Sequence, residues 1–558
     1  MQFWATMRKF FLILTAILTA AIATAQDYII EIPTAMAGDV ARLSRAVSIN
    51  GIRDGVITAY ANESELMTLR TILPQYAYNV RNVKSLSKSA EFIKMAQSIE
   101  EMQDWEHYPT YETYVAMMKD FAAKHPDLAQ LVDIGASAAG RQILAVRITA
   151  EGDTLARPRV FLTSTMHGDE TCGYVLMLRL IDFLLNNYGT HPEATRIVNN
   201  IVLYINPLAN PDGTYYGVNG TVAESRRYNA NNVDLNRNFP EAGALTKNTQ
   251  NLEPETIAMM KFAQSRHFTL SANMHGGDEV LNYPWDSFDE SEMGLADKDW
   301  FEDICQKYID TLRTFAPNGM KTINEQGYVF GSVWYKVASG RQDWMLYSER
   351  CREVTIELST IKTLRCDLLE NYWQRHRDGL LLYVCNALQG IRGQAVDFNG
   401  NPIKAQIYLD GHDYNYSSIF CDAEGQYVRP TLADKTYNVC AVADGYETQC
   451  QEVVTKKDQL VVADFTMAEG VSEYVAITPE KKSPSKLQIT VHQGIIEIKS
   501  TQIIDRVEIA DVLGRRVGSY NPKTDTFKCQ AYNLSDGIYV IRVQTGGVVA
   551  SSKITITK

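Results

Sequence analysis

The rhythm of apolar and polar positions changes along the chain, and each change marks a unit. An apolar run from Phe10 to Ile22 follows Arg8 and Lys9 and ends at the small residues Ala23, Thr24 and Ala25. That is the pattern of a signal peptide over 1–25, with Gln26 as the new N-terminus. The alternative is a membrane anchor, but the run is short for crossing a bilayer. From 26 to about 105 the spacing predicts strands at Tyr28 to Ile32 and Val56 to Ala61, and helices at Ala37 to Ala46 and Glu63 to Ile72. This is a small α+β leading unit. Its position and size suit a propeptide, and equally an accessory domain that stays on. Lys84 to Asp104 is polar and reads as a helix or linker.

From 106 to 389 long apolar strands alternate with helical patterns. Tyr111 to Lys124 has the amphipathic period of a helix, and Thr171 to Asn187 carries a second helical pattern. Leu128 to Ile134, Gln142 to Ile148, Arg159 to Thr165, Ile201 to Ile205 and Phe268 to Met274 read as strands, several of them almost wholly apolar. Strands this apolar are buried on both faces, so the fold class is α/β, a mixed sheet in an α/β/α arrangement. After Gly390 the strands become short and alternating, with turns at Asn399-Gly400 and Asp444-Gly445. Residues 390–470 therefore read as a β-sandwich. A polar linker, 471–486, leads to a second β-sandwich candidate over 487–558.

Composition narrows the picture. The 558 residues are 45% hydrophobic with a net charge of -12, which suits a globular protein and excludes nucleic acid as the main partner. No stretch beyond the first is long and apolar enough to span a membrane. Nine cysteines include no paired CxxC spacing. Cys440 and Cys450 flank the Asp444-Gly445 turn and either face each other across a hairpin or remain two buried thiols.

The candidate chemistry begins at His167-Gly168-Asp169-Glu170, directly after an apolar strand. The carboxyl ends of strands are where α/β sheets place their sites. His275 ends another such strand, and two His with one Glu form a standard catalytic zinc set that leaves a position for water. The segment Asp234 to Pro240 contains Arg237 and is preceded by Arg226 and Arg227, and an Arg here either pairs a substrate carboxylate or is solvated. Glu357 interrupts an apolar strand, so it is either half of a buried ion pair or a desolvated general base.

Taken together, these segments resemble the zinc metallocarboxypeptidases of the regulatory branch that contains carboxypeptidases D, E, M and N. The resemblance covers Tyr108 to Gln389 and rests on the HGDE motif, Asn210-Pro211-Asp212-Gly213, the DLNRNFP segment from Asp234, Ser271 to Asp286, Tyr335 to Trp344 and Thr355 to Ser359. It implies one Zn2+ per catalytic domain, held by His167, Glu170 and His275. It implies Glu357 as general base and acid, and Arg227 as the stabiliser of the oxyanion. Asn236 and Arg237 would grip the terminal carboxylate, and Tyr335 would close over the substrate. Asp286 and Gln342 would line the pocket for the last side chain, implying a preference for C-terminal Lys or Arg. The chain departs from the usual pattern at Ser339-Gly340-Arg341, where a positive Arg341 facing that pocket would weaken the preference, and at Asp169, which adds negative charge beside the metal.

Residues 390–470 resemble the transthyretin-like sandwich of this branch, and 487–558 are similar to the C-terminal sorting domain of Bacteroidetes type IX secretion. The resemblance implies peptide C-termini and the secretion and sorting machinery as partners. It also implies export through the periplasm and across the outer membrane, with release or surface attachment. Two other readings stay open on sequence: a murein-peptide hydrolase, against which Asp286 argues, and a non-enzymatic surface-binding protein built on the β-modules.

Overall fold

The computed structural model describes residues 28–38, 40–82, 90–242, 251–414 and 416–470, and in the last unit 488–492, 495–511, 516–531, 534, 537–545 and 548–556. The expected signal peptide and the 471–486 linker lie outside the described residues.

The leading unit is a four-stranded antiparallel sheet of β1 (Tyr28–Pro33), β2 (Ser48–Arg53), β3 (Val56–Ala61) and β4 (Asn79–Asn82) in the order β2-β3-β1-β4. A helix over Glu63–Ile72 begins at a capping box, in which Asn62 Oδ1 accepts from the Glu65 N–H and Glu65 Oε2 accepts from the Asn62 N–H. Two of the strands and this helix match the sequence pattern. The expected helix Ala37 to Ala46 is instead two short ones, Thr34–Ala37 and Val40–Ser44, separated around Gly38. Strands β2 and β4 are additional. In β2 the alternation is broken by a bulge between Ile49 and Gly51, which leaves Asn50 outside the ladder.

The central unit, residues 106–389, is built on an eight-stranded mixed sheet. In chain order its strands are β5 (Ala129–Ala136), β6 (Gln142–Ile148), β7 (Arg159–Ser164), β8 (Val202–Asn206), β9 (Leu270–His275), β10 (Glu279–Tyr283), β11 (Tyr328–Phe330) and β12 (Arg352–Leu358). They lie in the order β11-β10-β12-β9-β7-β8-β6-β5. Strands β8, β7, β9 and β12 run parallel at the centre and are almost wholly buried. One face is covered by helices Tyr111–Lys124, Cys172–Asn186, Lys298–Phe315 and Leu369–Cys385, which enclose a large core around Leu178, Ile181, Ile304 and Leu380. The other face packs against Pro254–Arg266 and Arg341–Glu349 through Phe161, Phe262 and Trp344. Each fully buried large apolar side chain of this kind contributes about 1.5–3 kcal/mol of transfer free energy. The leading unit has its own separate core of Ile30, Ile32, Val47, Ile57 and Leu69.

Residues 390–470 form two facing four-stranded sheets around Ile391, Ile407, Val439 and Phe465. Cys440 and Cys450 stand opposite each other on adjacent strands and are disulfide-bonded. A buried charge cluster joins this sandwich to the central unit. Asp297 accepts from Arg352 and from Arg429 at 2.7 Å each, and Arg429 also bonds Asp413 at 2.6 Å. The last unit is all β. Its long strand Ile495–Asp511 pairs with neighbours on both edges around a core of Ile496, Ile498, Val507 and Ile541.

Candidate active site

The parallel strands deliver their carboxyl ends to one place. His275, the last residue of β9, is in register with Glu357 of β12, and the loop leaving β7 brings His167 and Glu170 beside them. His167 Nδ1 lies 3.1 Å from His275 Nδ1 and 3.0 Å from Glu170 Oε2, and His275 Nδ1 lies 2.8 Å from the same Oε2. Ligand atoms around a tetrahedral zinc with ~2.1 Å bonds sit about 3.4 Å apart, so this convergence fits that ion with a small expansion. The outward nitrogens fit as well. His167 Nε2 faces Asp234 Oδ1 at 3.0 Å, and the Asn273 side-chain amide meets His275 Nε2 at 2.7 Å. An acceptor on the far nitrogen of His167 holds its proton there and turns the Nδ1 lone pair inward. Burial lowers His275 to about 4, which keeps the imidazole neutral as a metal ligand must be. Burial alone would raise Glu170, but the His167 and Lys362 charges outweigh it and hold this carboxylate well below its usual range.

Glu357 lies across from this triad. The residue is 9% exposed, and its Oε2 is buried with no hydrogen-bond partner. Burial, reinforced by the charge of Glu170, pushes its pKa well above the ordinary carboxylate value. Arg227 enters from the opposite side. Its Nε and Nη2 bond Asp234 Oδ2 at 3.0 and 2.9 Å, which fixes the guanidinium and aims Nη1 at Glu170 and His167. Burial opposes its charge, but Asp234 and Glu170 more than offset that and keep it protonated.

Asn236, Arg237, Tyr335 and Asp286 line the same cavity, as do Asn282 and Thr355. Asn236 Oδ1 accepts from the Arg341 backbone N–H at 2.9 Å. Arg237 has a buried Nε without a partner. Asp286 Oδ1 accepts from Asn282 Nδ2 and from Gln342 Nε2 at 3.0 Å each, so Gln342 stands behind the pocket acid. Asp343 fixes the turn by accepting from the backbone N–H groups of Asp286 and Ser287 at 2.8 Å. Gly331 forms the floor, because a Cβ there would collide with Asp286 Oδ1. Burial and then the neighbouring Asp343 raise Asp286 well above its ordinary value. Arg341 neither faces this pocket nor reaches solvent. It is 1% exposed and pairs inside the fold with Glu353 at 2.8 Å, and Thr163 also accepts from it.

Several groups at the site carry no signature in sequence spacing. Asp234 orients both His167 and Arg227, and Lys362 Nζ bonds Glu170 Oε1 at 2.8 Å. The leading unit also reaches in. Ser48 Oγ donates to Asp234 Oδ2 at 2.6 Å, and the Ile49 carbonyl accepts from Arg237 Nη2 at 3.2 Å. Asn50, the bulge residue of β2, lines the cavity itself, and the Tyr60 ring lies 4.5 Å from Lys362 Nζ.

Comparison with known proteins agrees with this geometry. The zinc carboxypeptidase family profile matches residues 114–379, and the secretion system C-terminal sorting domain matches 484–557. The chain is 32% identical over 382 residues to human carboxypeptidase D, an alignment covering 66% of this chain and 27% of that protein. It therefore spans about a quarter of the carboxypeptidase D relatives it matches. It is 30% identical to carboxypeptidase SOL1 of Arabidopsis thaliana, covering 64% of this chain and 72% of that one. It is 33% identical to mouse carboxypeptidase M, covering 53% and 69%. The sorting-domain match marks the chain for export, to the cell surface or beyond. Among the described residues no helix is long and apolar enough to cross a membrane. With the candidate metal-binding triad, its supporting acceptors and the family profile falling on the same unit, the chain belongs to the zinc carboxypeptidase family.

Proposed function

We propose that the chain hydrolyses the last peptide bond of peptides or proteins and prefers Lys or Arg as the released residue. The observation that carries this reading is the pairing of a buried His-Glu-His triad with an unpartnered, raised Glu357 in a single cavity. His167, Glu170 and His275 would hold one Zn2+, which when bound polarises a carbonyl and acidifies water.

The chain's own residues supply the rest. Glu357 takes the proton of the attacking water and returns it to the departing amine. Its unpartnered oxygen facing the triad suits both roles. Arg227, fixed on Asp234, offers a preorganised positive charge to the oxyanion. Arg237, with a free buried Nε, and Asn236 hold the terminal carboxylate, so only the last bond reaches the water. Tyr335 closes over the bound peptide. Asp286, aimed by Asn282 and Gln342, receives a cationic side chain, and the enclosed Arg341–Glu353 pair keeps the Arg341 charge out of that pocket.

The leading unit fits the role of a removable cover, since Asn50 of β2 lines the cavity and the Ile49 carbonyl occupies Arg237. The exported route in this reading runs by signal peptide through the periplasm and then across the outer membrane by the sorting domain. The test is product mapping by mass spectrometry. A peptide ending in Lys should lose that residue in the presence of zinc and stay intact with a chelator or with an amidated C-terminus. Internal cleavage, or equal cleavage of the amide, would sink the exopeptidase reading.

A further inference from the structure

Asp278 follows His275 after only Gly276 and Gly277, and it is 2% exposed. Among the described residues its carboxylate has one charged partner, Arg53 of the leading unit, whose Nη2 forms an ion pair with Oδ1. A buried carboxylate is costly without a cation or donors. Here the cation comes from outside the catalytic unit. Departure of that unit would take Arg53 with it and leave this carboxylate without that cation.

Strand β2 acts as a ruler along the site. Ile49 offers its carbonyl to Arg237, Asn50 enters the cavity, and Gly51 passes so close to Asp278 that a Cβ on it would lie 3.2 Å from Oδ2. Ile49 and Gly51 flank the bulge and face the adjacent residues Ala59 and Thr58, so they stand between one and two strand steps apart, roughly 3–7 Å at ~3.3 Å per residue. A peptide whose terminal carboxylate sits on Arg237 would bring its second or third residue from the end to the same place. Strand β2 runs away from Arg237 from N to C, whereas such a peptide runs toward it. The strand therefore occupies the groove with reversed polarity and offers no terminal carboxylate to the clamp.

We infer that Asp278 is a specificity-determining residue that recognises a Lys or Arg lying one or two places upstream of the released residue, with Arg53 as its tethered occupant. The position of the terminal carboxylate in this inference rests on the carboxypeptidase reading. Together, Asp286 and Asp278 would select peptides with basic residues clustered at the C-terminus.

The test uses the full-length, zinc-loaded chain and peptides with a common C-terminal Lys. They differ only in carrying Lys, Ala or Glu at the second or third residue from the end. Covering by the leading unit scales every peptide alike within one protein, so the ratio of kcat/KM between peptides reports the subsite. A hydrogen bond to a charged group predicts a Lys-over-Ala ratio of about tenfold at one of the two positions, and Glu below Ala. Asp278→Asn should bring that ratio close to unity, and Asp278→Glu should keep part of it. A ratio unchanged by Asp278→Asn, or no preference for Lys at either position, overturns the inference. Affinity measured on the Glu357→Gln chain, with and without Asp278→Asn, gives the same ratio without turnover. A preference found there and lost with Asp278, in a protein whose wild-type form releases no residue, would uphold the subsite and refute the hydrolytic reading.

Discussion

His275 and Glu357 occupy the same rung of two neighbouring parallel strands. One ends its strand at the metal triad, and the other presents a carboxyl with a buried, unpartnered oxygen. Replacing Glu357 with Gln should lower kcat by roughly 10²- to 10⁴-fold, the range for losing a general acid–base group. The same change should stabilise the metal-free chain. A carboxyl whose folded pKa is raised favours folding fully at low pH, and that contribution is lost as pH rises through the raised value. Urea unfolding of the two proteins should therefore diverge with increasing pH, with the Glu357→Gln protein the more stable. Equal stability at neutral pH would contradict the buried-acid account.

Asp234 links His167 to Arg227, so Asp234→Asn should act on both metal and oxyanion chemistry. Loss of such an outer partner typically weakens metal binding or activity by about 10- to 100-fold. Competition with a zinc-sensitive dye would read the metal half separately. Unchanged zinc affinity would assign Asp234 to Arg227 alone.

Asp286 is raised by burial and by Asp343. A Lys or Arg side chain entering the pocket favours the ionised form, so KM for basic peptides should fall as pH rises above the ordinary carboxylate range. Asp286→Asn should remove both the pH trend and the preference for basic over aliphatic ends. A preference that survives the change would place selectivity elsewhere.

Glu65 sits at the seam between the leading and catalytic units, where Tyr228 OH donates to its Oε2 at 2.8 Å. Burial first, with Asp234 adding and Arg227 opposing, raises it to about 7. Undocked, it would lose that burial and titrate lower. Docking of the leading unit should therefore be strongest at acid pH and weaken as pH rises through about 7. Cutting the chain between the two units should raise peptidase activity, more so above that pH, and Glu65→Gln should remove the pH dependence. Equal activity before and after cutting would remove the leading unit from any covering role.

Asp297 holds Arg352 and Arg429 together beneath the β-sandwich. Asp297→Ala would leave both guanidinium groups buried with that partner missing, a change expected to cost about 3–5 kcal/mol in chemical unfolding. A loss of under about 1 kcal/mol would mean that water or Asp413 replaces it.

Much of the site is legible in the sequence because its residues end strands or sit in tight motifs. His167, Glu170, His275 and Glu357 follow or interrupt apolar runs, and the central strands are legible within a residue or two. Asp234 and Lys362 do not stand out as site residues, because a supporting partner is defined by three-dimensional approach rather than spacing. Arg341 cannot be placed from sequence because nothing around it announces Glu353, a partner in the strand that follows its helix. Strand β2 escapes the pattern because its bulge at Asn50 breaks the alternation a strand is recognised by, and that same bulge turns Asn50 into the cavity. The disulfide alternative at Cys440 and Cys450 is settled by register alone.

The measurement closest to the central claim is residue release by the zinc-loaded chain from peptides identical except for their last residue. The account predicts one residue lost per cleavage, Lys and Arg ahead of Leu and Glu, and activity that disappears on zinc removal and returns when zinc is restored. Release that persists without metal, or none from any peptide with a free C-terminus, would contradict it.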